Sequence, residues 1–308
     1  MHSHGHAQTG KVLQWSLVAT ILFVIIELVA GLRAGSLALI SDAGHNFTDA
    51  LSLVLAAIGL YLQARPADSV KTYGYHRAGV LTAFVNALTL VGISLFIFYE
   101  AWQRFLHPQP VQEWTMFWVA VAAVALNGGV MWGLHRDKDH DLNIRAAFMH
   151  MLGDAVSSMA ILVGAVIIHY TRLSAIDPVL SVLIGAFIIW TAWDIIKESL
   201  NVLLEGLPRG MELAQVTTEL MHIEGVIDVH DLHIWSLGSS AHALSCHVLI
   251  QDMPPSESNS ILDRINQLLC KFHIHHTTIQ FEHTKCALSD SPCTLLVGAA
   301  PHQHHHEA

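Results

Sequence analysis

The chain has 308 residues, 53% of them hydrophobic and only 13% charged, against roughly 25% charged residues in an average soluble domain, so it belongs in a membrane. Its formal charge of −10 argues against a nucleic-acid partner. Histidine is abundant, with 23 residues against 25 acidic ones. It crowds at the ends (His2, His4, His6; His302, His304, His305, His306) and in the last third, where it reads as divalent-metal affinity or as a solvated tail.

Residues 1–11 form a His-containing tail, and residues 12–206 form a transmembrane domain. A helix needs about 20 apolar residues to cross a bilayer. Six segments meet that length: Leu13–Leu32, Leu37–Leu62, Val80–Phe105, Trp114–Leu134, Ala146–Tyr170 and Pro178–Leu200. Basic residues concentrate in two of the intervening loops, the second-to-third (Arg65, Lys71, Arg77) and the fourth-to-fifth (Arg136, Lys138, Arg145). The positive-inside rule then puts both termini in the cytoplasm.

After Leu204-Glu205-Gly206-Leu207-Pro208 the long apolar runs give way to short alternating ones. Met211–His222 and Ser256–Lys271 have helical periodicity, whereas Val226–Trp235, His242–Ile250 and Thr277–Glu282 alternate as strands do. The order αββαβ over residues 207–284 predicts a small α+β domain with helices on one face of a sheet. Residues 285–308 read as a Cys- and His-containing tail. All four cysteines, Cys246, Cys270, Cys286 and Cys293, follow the membrane region. In a cytosolic location they stay reduced and can serve as thiolate ligands.

Chemistry concentrates inside two spans. His45 and Asp49 stand four residues apart in one, and His150 and Asp154 repeat that spacing in another. In helices each pair lies on one face, one turn apart. A charge at the centre of a membrane helix costs at least about 2.5–3.5 kcal/mol, so such groups mark a pathway or a pair. Two imidazoles and two carboxylates supply the four ligands of a tetrahedral Zn²⁺ site. Co²⁺ and Cd²⁺ suit the set too, while Mg²⁺ and Ca²⁺ prefer oxygen alone. Asp42 is expected to be accessory to this site, and Glu27 to be a bundle-facing hydrogen-bonding group. His76, in the second-to-third loop, is a metal contact or a solvated side chain.

In the cytosolic domain, alternation along the first strand puts Asp231 and His233 on one face and His230 on the other. His247, Glu282, Cys286 and Cys293 add metal-type ligands, and the group suggests regulatory sites. His273, His275 and His276 are ligands or a polar strand edge.

Five stretches together resemble the cation diffusion facilitator family, in its bacterial zinc/cadmium/cobalt efflux type. They are Ser36–His45 (SLALISDAGH), Thr72–Arg77 (TYGYHR), Asn143–His150 (NIRAAFMH), Ser199–Gly206 (SLNVLLEG) and His230–Ser236 (HDLHIWS). The resemblance implies a homodimer in the lipid bilayer. Each subunit would have a six-helix, all-α membrane transporter domain and a cytosolic domain of metallochaperone-like, ferredoxin-like fold that helps hold the dimer. It implies export of divalent cations from the cytoplasm in exchange for protons, with a transport site at His45, Asp49, His150 and Asp154 in the zinc-preferring version. Cytosolic sites would involve His230, His247 and Glu282, with tail cysteines in some members. Two departures stand out: Gly79 takes a place where relatives often carry Glu, and the fourth-to-fifth loop lacks a long His-rich insert. The second favours a bacterial inner membrane over an organelle.

Two rival readings come from other classes. A membrane metalloprotease would need a motif such as His-Glu-x-x-His and an open metal position, and a four-ligand site offers neither. A membrane-tethered metal sensor would use its helices only as an anchor.

Overall fold

The structure is a computed structural model that describes residues 20–135, 142–238 and 241–284. By its contacts the described chain falls into two units. One takes the helices up to Arg65 and Ala78–Ser199; the other takes Pro66–Arg77 and the chain from Leu200 onward.

The first unit is all helix. α1 covers residues 20–34 within the described chain, followed by α2 (Leu37–Gln63), α3 (Ala78–Leu106), α4 (Glu113–Leu134), α5 (Leu142–Thr171) and α6 (Ile176–Leu203). α2 through α6 are all long and apolar enough to cross a membrane, and α1 is the described part of the first expected span. The helices run a few residues past the apolar cores read from sequence, because polar residues can continue a helix where it leaves the hydrocarbon. Asp177 and Pro178 lie in the first turn of α6, where proline costs no hydrogen bond.

Small residues sit where these helices meet. Ala38, Ala87, Ala101, Ala120, Ala165 and Ala192 are buried, which lets backbones approach in the absence of a hydrophobic drive between helices. α2 packs along α3, α4 packs along α5, and α2 also touches α5. Leu60, Phe96, Trp132 and Trp190 are exposed, as lipid-facing side chains are. The amino end of α2 is tied down internally. Ser36 caps it by accepting from Leu39 N, and buried Asp177 accepts from Ser36 Oγ (2.5 Å), Leu37 N (2.7 Å) and Ala38 N (3.3 Å). Arg104 completes the cluster, 3.5 Å from Asp177 Oδ2 and donating to the Gly35 carbonyl.

The second unit contains α7 (Leu213–Met221), β1 (Val226–Ser236), β2 (His242–Ile250), α8 (Pro255–Cys270) and β3 (Ile274–Glu282). The sheet order is β1-β2-β3, with β1 antiparallel to β2 and β3 parallel to β2. α7 packs on β1 and α8 on β3. Val216 and Leu220 of α7 and Ile261, Ile265 and Leu269 of α8 join Leu244, Val248 and Ile250 in one core. β3 begins three residues earlier than the sequence pattern suggested, because buried Ile274 pairs with His242.

The segment between α2 and α3 folds with this unit. Asp68 accepts from Val70 N, Lys71 N and Tyr75 Oη, and the Lys71 and Val70 amides hold its carboxyl below the usual range. Arg77 pairs with Glu205 at 3.1 Å and donates to the Ser236 carbonyl at 3.4 Å. The Tyr73 ring meets His276 edge-on, with centroids 5.2 Å apart.

Candidate metal centre

α2 and α5 bring the two His-x-x-x-Asp pairs face to face. Within each helix the pair is loose: His45 Nε2 lies 3.8 Å from Asp49 Oδ2, and His150 Nε2 3.7 Å from Asp154 Oδ2. Across the helices it is closer, with His45 Nε2 3.4 Å from Asp154 Oδ1 and His150 Nε2 3.4 Å from Asp49 Oδ2. The two imidazoles are edge to face, centroids 6.3 Å apart. One donor atom from each of His45, Asp49 and Asp154 fits within 4.8 Å of the others, and His150 joins through its two carboxylate contacts. His45 Nδ1 and Asp49 Oδ2 are buried without a hydrogen-bond partner among the described residues. Buried polar atoms left in this condition are costly unless something fills the space between them. The side-chain exposure falls from 44% at His150 to 6% at Asp154, so the cluster opens to one side.

Asp42 stands apart from the four. Its carboxylate accepts from Ser157 Oγ (2.9 Å) and Ser158 Oγ (3.2 Å) of α5, so the accessory place expected from sequence corresponds to a link between α2 and α5. Ser157 and Ser158 were not singled out in the sequence, although they lie one turn beyond Asp154 on the same helix. Glu27 is fully buried and accepts from Asn46 Nδ2 at 3.0 Å, which matches the hydrogen-bonding part read for it.

The second unit holds another cluster. His230 and His247 are paired across β1 and β2, with ring centroids 5.4 Å apart. Glu282, at the end of β3, lies 3.2 Å from His230 Nε2 and 2.9 Å from His247 Nδ1. One donor atom from each of the three fits within 4.8 Å of the others, and Glu282 Oε2 and both His230 ring nitrogens lack a hydrogen-bond partner among the described residues.

The strand alternation read from sequence fails at this point. The ladder shifts between His230 and His233, and Asp231 has φ 51°. This bulge lets Asp231 reach both His233 Nε2 (3.0 Å) and His247 Nε2 (3.8 Å), so it is not confined to the face opposite His230. A bulge re-aims side chains in this way, and nothing in a binary pattern announces it. His233 is exposed and held by Asp231 rather than by the His230 cluster. His76 falls in the segment that folds with this unit, its carbonyl close to Gly238, outside both ligand groups. Cys286, Cys293 and the terminal histidines lie outside the described residues.

Cys246 is buried in the sheet, and burial, reinforced by the Asp231 charge, pushes its thiol up to about 12, which makes it a core residue rather than a thiolate. Burial lowers His242, and His273 and His275 add to the effect.

Residues 13–204 match the family model described as cation efflux transmembrane domain, and residues 208–284 match that of the cation efflux protein cytoplasmic domain. The zinc transporter ZitB of Pectobacterium atrosepticum is 38% identical, over 99% of this chain and 93% of its own. The metal cation efflux system protein CzcD of Cupriavidus metallidurans is 38% identical over 94% and 92%. A Bacillus velezensis protein named cadmium, cobalt and zinc/H(+)-K(+) antiporter is 36% identical over 99% of both chains. With both halves matched and relatives aligned end to end, the chain belongs to the cation efflux family of membrane transporters.

Proposed function

We propose that this protein exports divalent cations, Zn²⁺ foremost, from the cytoplasm in exchange for protons. Its transport site would be His45, Asp49, His150 and Asp154. The observation that carries this reading is the crossed pairing of the two His–Asp sets at 3.4 Å between helices that are both long and apolar enough to cross a membrane. Two neutral imidazoles and two carboxylates suit Zn²⁺, with Co²⁺ and Cd²⁺ next, the metals in the names of the relatives.

Neutral imidazole binds the metal and imidazolium does not, so metal and proton compete for the same nitrogens. With the site open to the cytoplasm, Zn²⁺ displaces protons from His45 and His150. With the site open to the other side, protonation of the imidazoles releases it. Asp49 and Asp154 neutralise the ion and make its partial dehydration tolerable. Helix bundles rocking about a site near the midplane would supply the alternation. The protein would act as a homodimer in a bacterial inner membrane, termini in the cytoplasm, with His230, His247 and Glu282 as a regulatory metal site.

The test is metal-stimulated proton flux in proteoliposomes. Wild type couples Zn²⁺ movement to an opposite proton movement, and Asp49→Ala abolishes both. A tethered sensor instead keeps its function in His45→Ala and Asp154→Ala, which would overturn this reading.

A further inference from the structure

Beside the two His–Asp pairs lies a second group of oxygen ligands. Glu27 of α1 is 0% exposed and Asp42 of α2 is 1% exposed, and Glu27 is bonded to Asn46, one turn beyond Asp42 on the same face of α2. Glu27 Oε2 accepts from Asn46 Nδ2 at 3.0 Å. Asp42 accepts from Ser157 Oγ at 2.9 Å and Ser158 Oγ at 3.2 Å. Glu27 Oε1 has no donor; the neighbouring carboxylate of Asp42 is an acceptor when ionised. The remaining ionisable groups that act on the pair are His45 of α2 and Asp154 of α5. Arg77, Arg104, Arg172, Lys197 and Arg264 pair elsewhere, with Glu205, Glu100 and Asp177, Glu113, Asp194 and Glu224.

Two neighbouring buried carboxylates, bonded to neutral donors, cannot both stay ionised and bare, because each buried charge needs a compensating one. We propose that Glu27 and Asp42 together bind one hard monovalent cation, a proton or an alkali ion, in a site separate from His45, Asp49, His150 and Asp154. The donors are all oxygen, a set that suits hard ions better than Zn²⁺. The site is wired to its neighbour: Asn46, which holds Glu27, follows His45 in the chain, and Ser157 and Ser158, which hold Asp42, follow Asp154 by one turn. An ion of charge 2+ entering between His45 and Asp154 repels the monovalent cation from the adjoining carboxylates. Resting on the exchange reading above, this gives the counter-ion a seat of its own.

The experiment uses purified full-length protein in lipid nanodiscs and three probes: radioactive Rb⁺, Zn²⁺ alone, and the infrared C=O stretch of a protonated carboxyl group at neutral pH. The expected result is one of two signals in wild type. Either one Rb⁺ binds per chain and K⁺ displaces it, or a protonated-carboxyl band is present. Whichever appears is lost in Glu27→Gln and in Asp42→Asn, persists in Asp49→Asn, and is lost from wild type when Zn²⁺ is added. Glu27→Gln keeps the Asn46 partner and its Zn²⁺ binding, and Asp42→Asn serves where the first variant does not fold. Neither signal in wild type, or a signal indifferent to both substitutions, overturns the proposal. A signal that depends on Glu27 but ignores Zn²⁺ upholds the site and overturns its part in exchange.

Discussion

Asp177 Oδ2, in the first turn of α6, accepts the Leu37 backbone amide at 2.7 Å and so closes the amino end of α2, the helix that carries His45 and Asp49. A helix start has four unpaired N–H groups. Here a side chain from a distant helix supplies the acceptor, with Arg104 near enough to balance its charge. Asp177→Ala should therefore leave the buried donors at Ser36, Leu37 and Ala38 unpaired and take one partner from Arg104, which keeps Glu100 and the Gly35 carbonyl. The expected loss is about 3–5 kcal/mol, read as a lowered midpoint of thermal unfolding in detergent. Asp177→Asn, which keeps an acceptor, should lose less.

Removing a proposed transport ligand should cost more than removing its support. Outer partners of metal ligands already contribute about 10–100-fold in affinity. His45→Ala or Asp154→Ala should then weaken Zn²⁺ binding at least about tenfold and abolish vesicle zinc flux. Calorimetric Zn²⁺ titration beside the flux assay separates binding from movement.

His45→Asp should change selectivity rather than abolish transport. Exchanging an imidazole for a carboxylate makes the set harder and shifts preference from Zn²⁺ toward oxygen-seeking ions such as Mn²⁺. Competition between the two metals in the same vesicles measures the shift, and a ratio equal to that of wild type would show that ligand type does not set it.

The two described cysteines of the second unit should react in a fixed order. Cys246, buried and with its thiol pushed up to about 12, presents almost no thiolate near neutral pH. Cys270 is exposed. Timed alkylation followed by peptide mass analysis should label Cys270 in the native protein and Cys246 only after unfolding.

His242 gives the second unit a pH dependence of definite sign. Its folded-state value lies below the ordinary 6.5 because burial, followed by His273 and His275, disfavours the charged form. The unfolded chain therefore takes up the proton first as pH falls. Stability is complete above 6.5 and declines as pH drops through that value toward the lower folded one. Hydrogen exchange of the β1–β2 amides in the full chain should quicken over that window, and less so in His242→Gln.

Much of this was legible in the residues themselves. Apolar runs announce spans because the bilayer demands them, and the repeated His-x-x-x-Asp spacing puts an imidazole and a carboxylate on one helix face. Sequence alone could not show that the closer contacts would be the crossed ones, His45 with Asp154 and His150 with Asp49, since these depend on how α2 and α5 meet. The bulge at Asp231 was hidden because it follows from one backbone angle, not from a pattern of polarity. The capping role of Asp177 was equally hidden: its partners at Ser36, Leu37 and Ala38 are about 140 residues away in the chain, and local spacing carries no trace of them.

Gly79 sits at the crossing of α2 and α3. A side chain there would run into the amide of Gln63, yet that amide is the free end of a flexible chain and can swing away. Gly59 has no such latitude: its would-be Cβ meets the Gly79 backbone and Thr82 Oγ1 at 3.0 Å. A side chain at 79 thus meets a partner that can move, while even a methyl group at 59, on the helix that carries His45 and Asp49, presses on the backbone of α3.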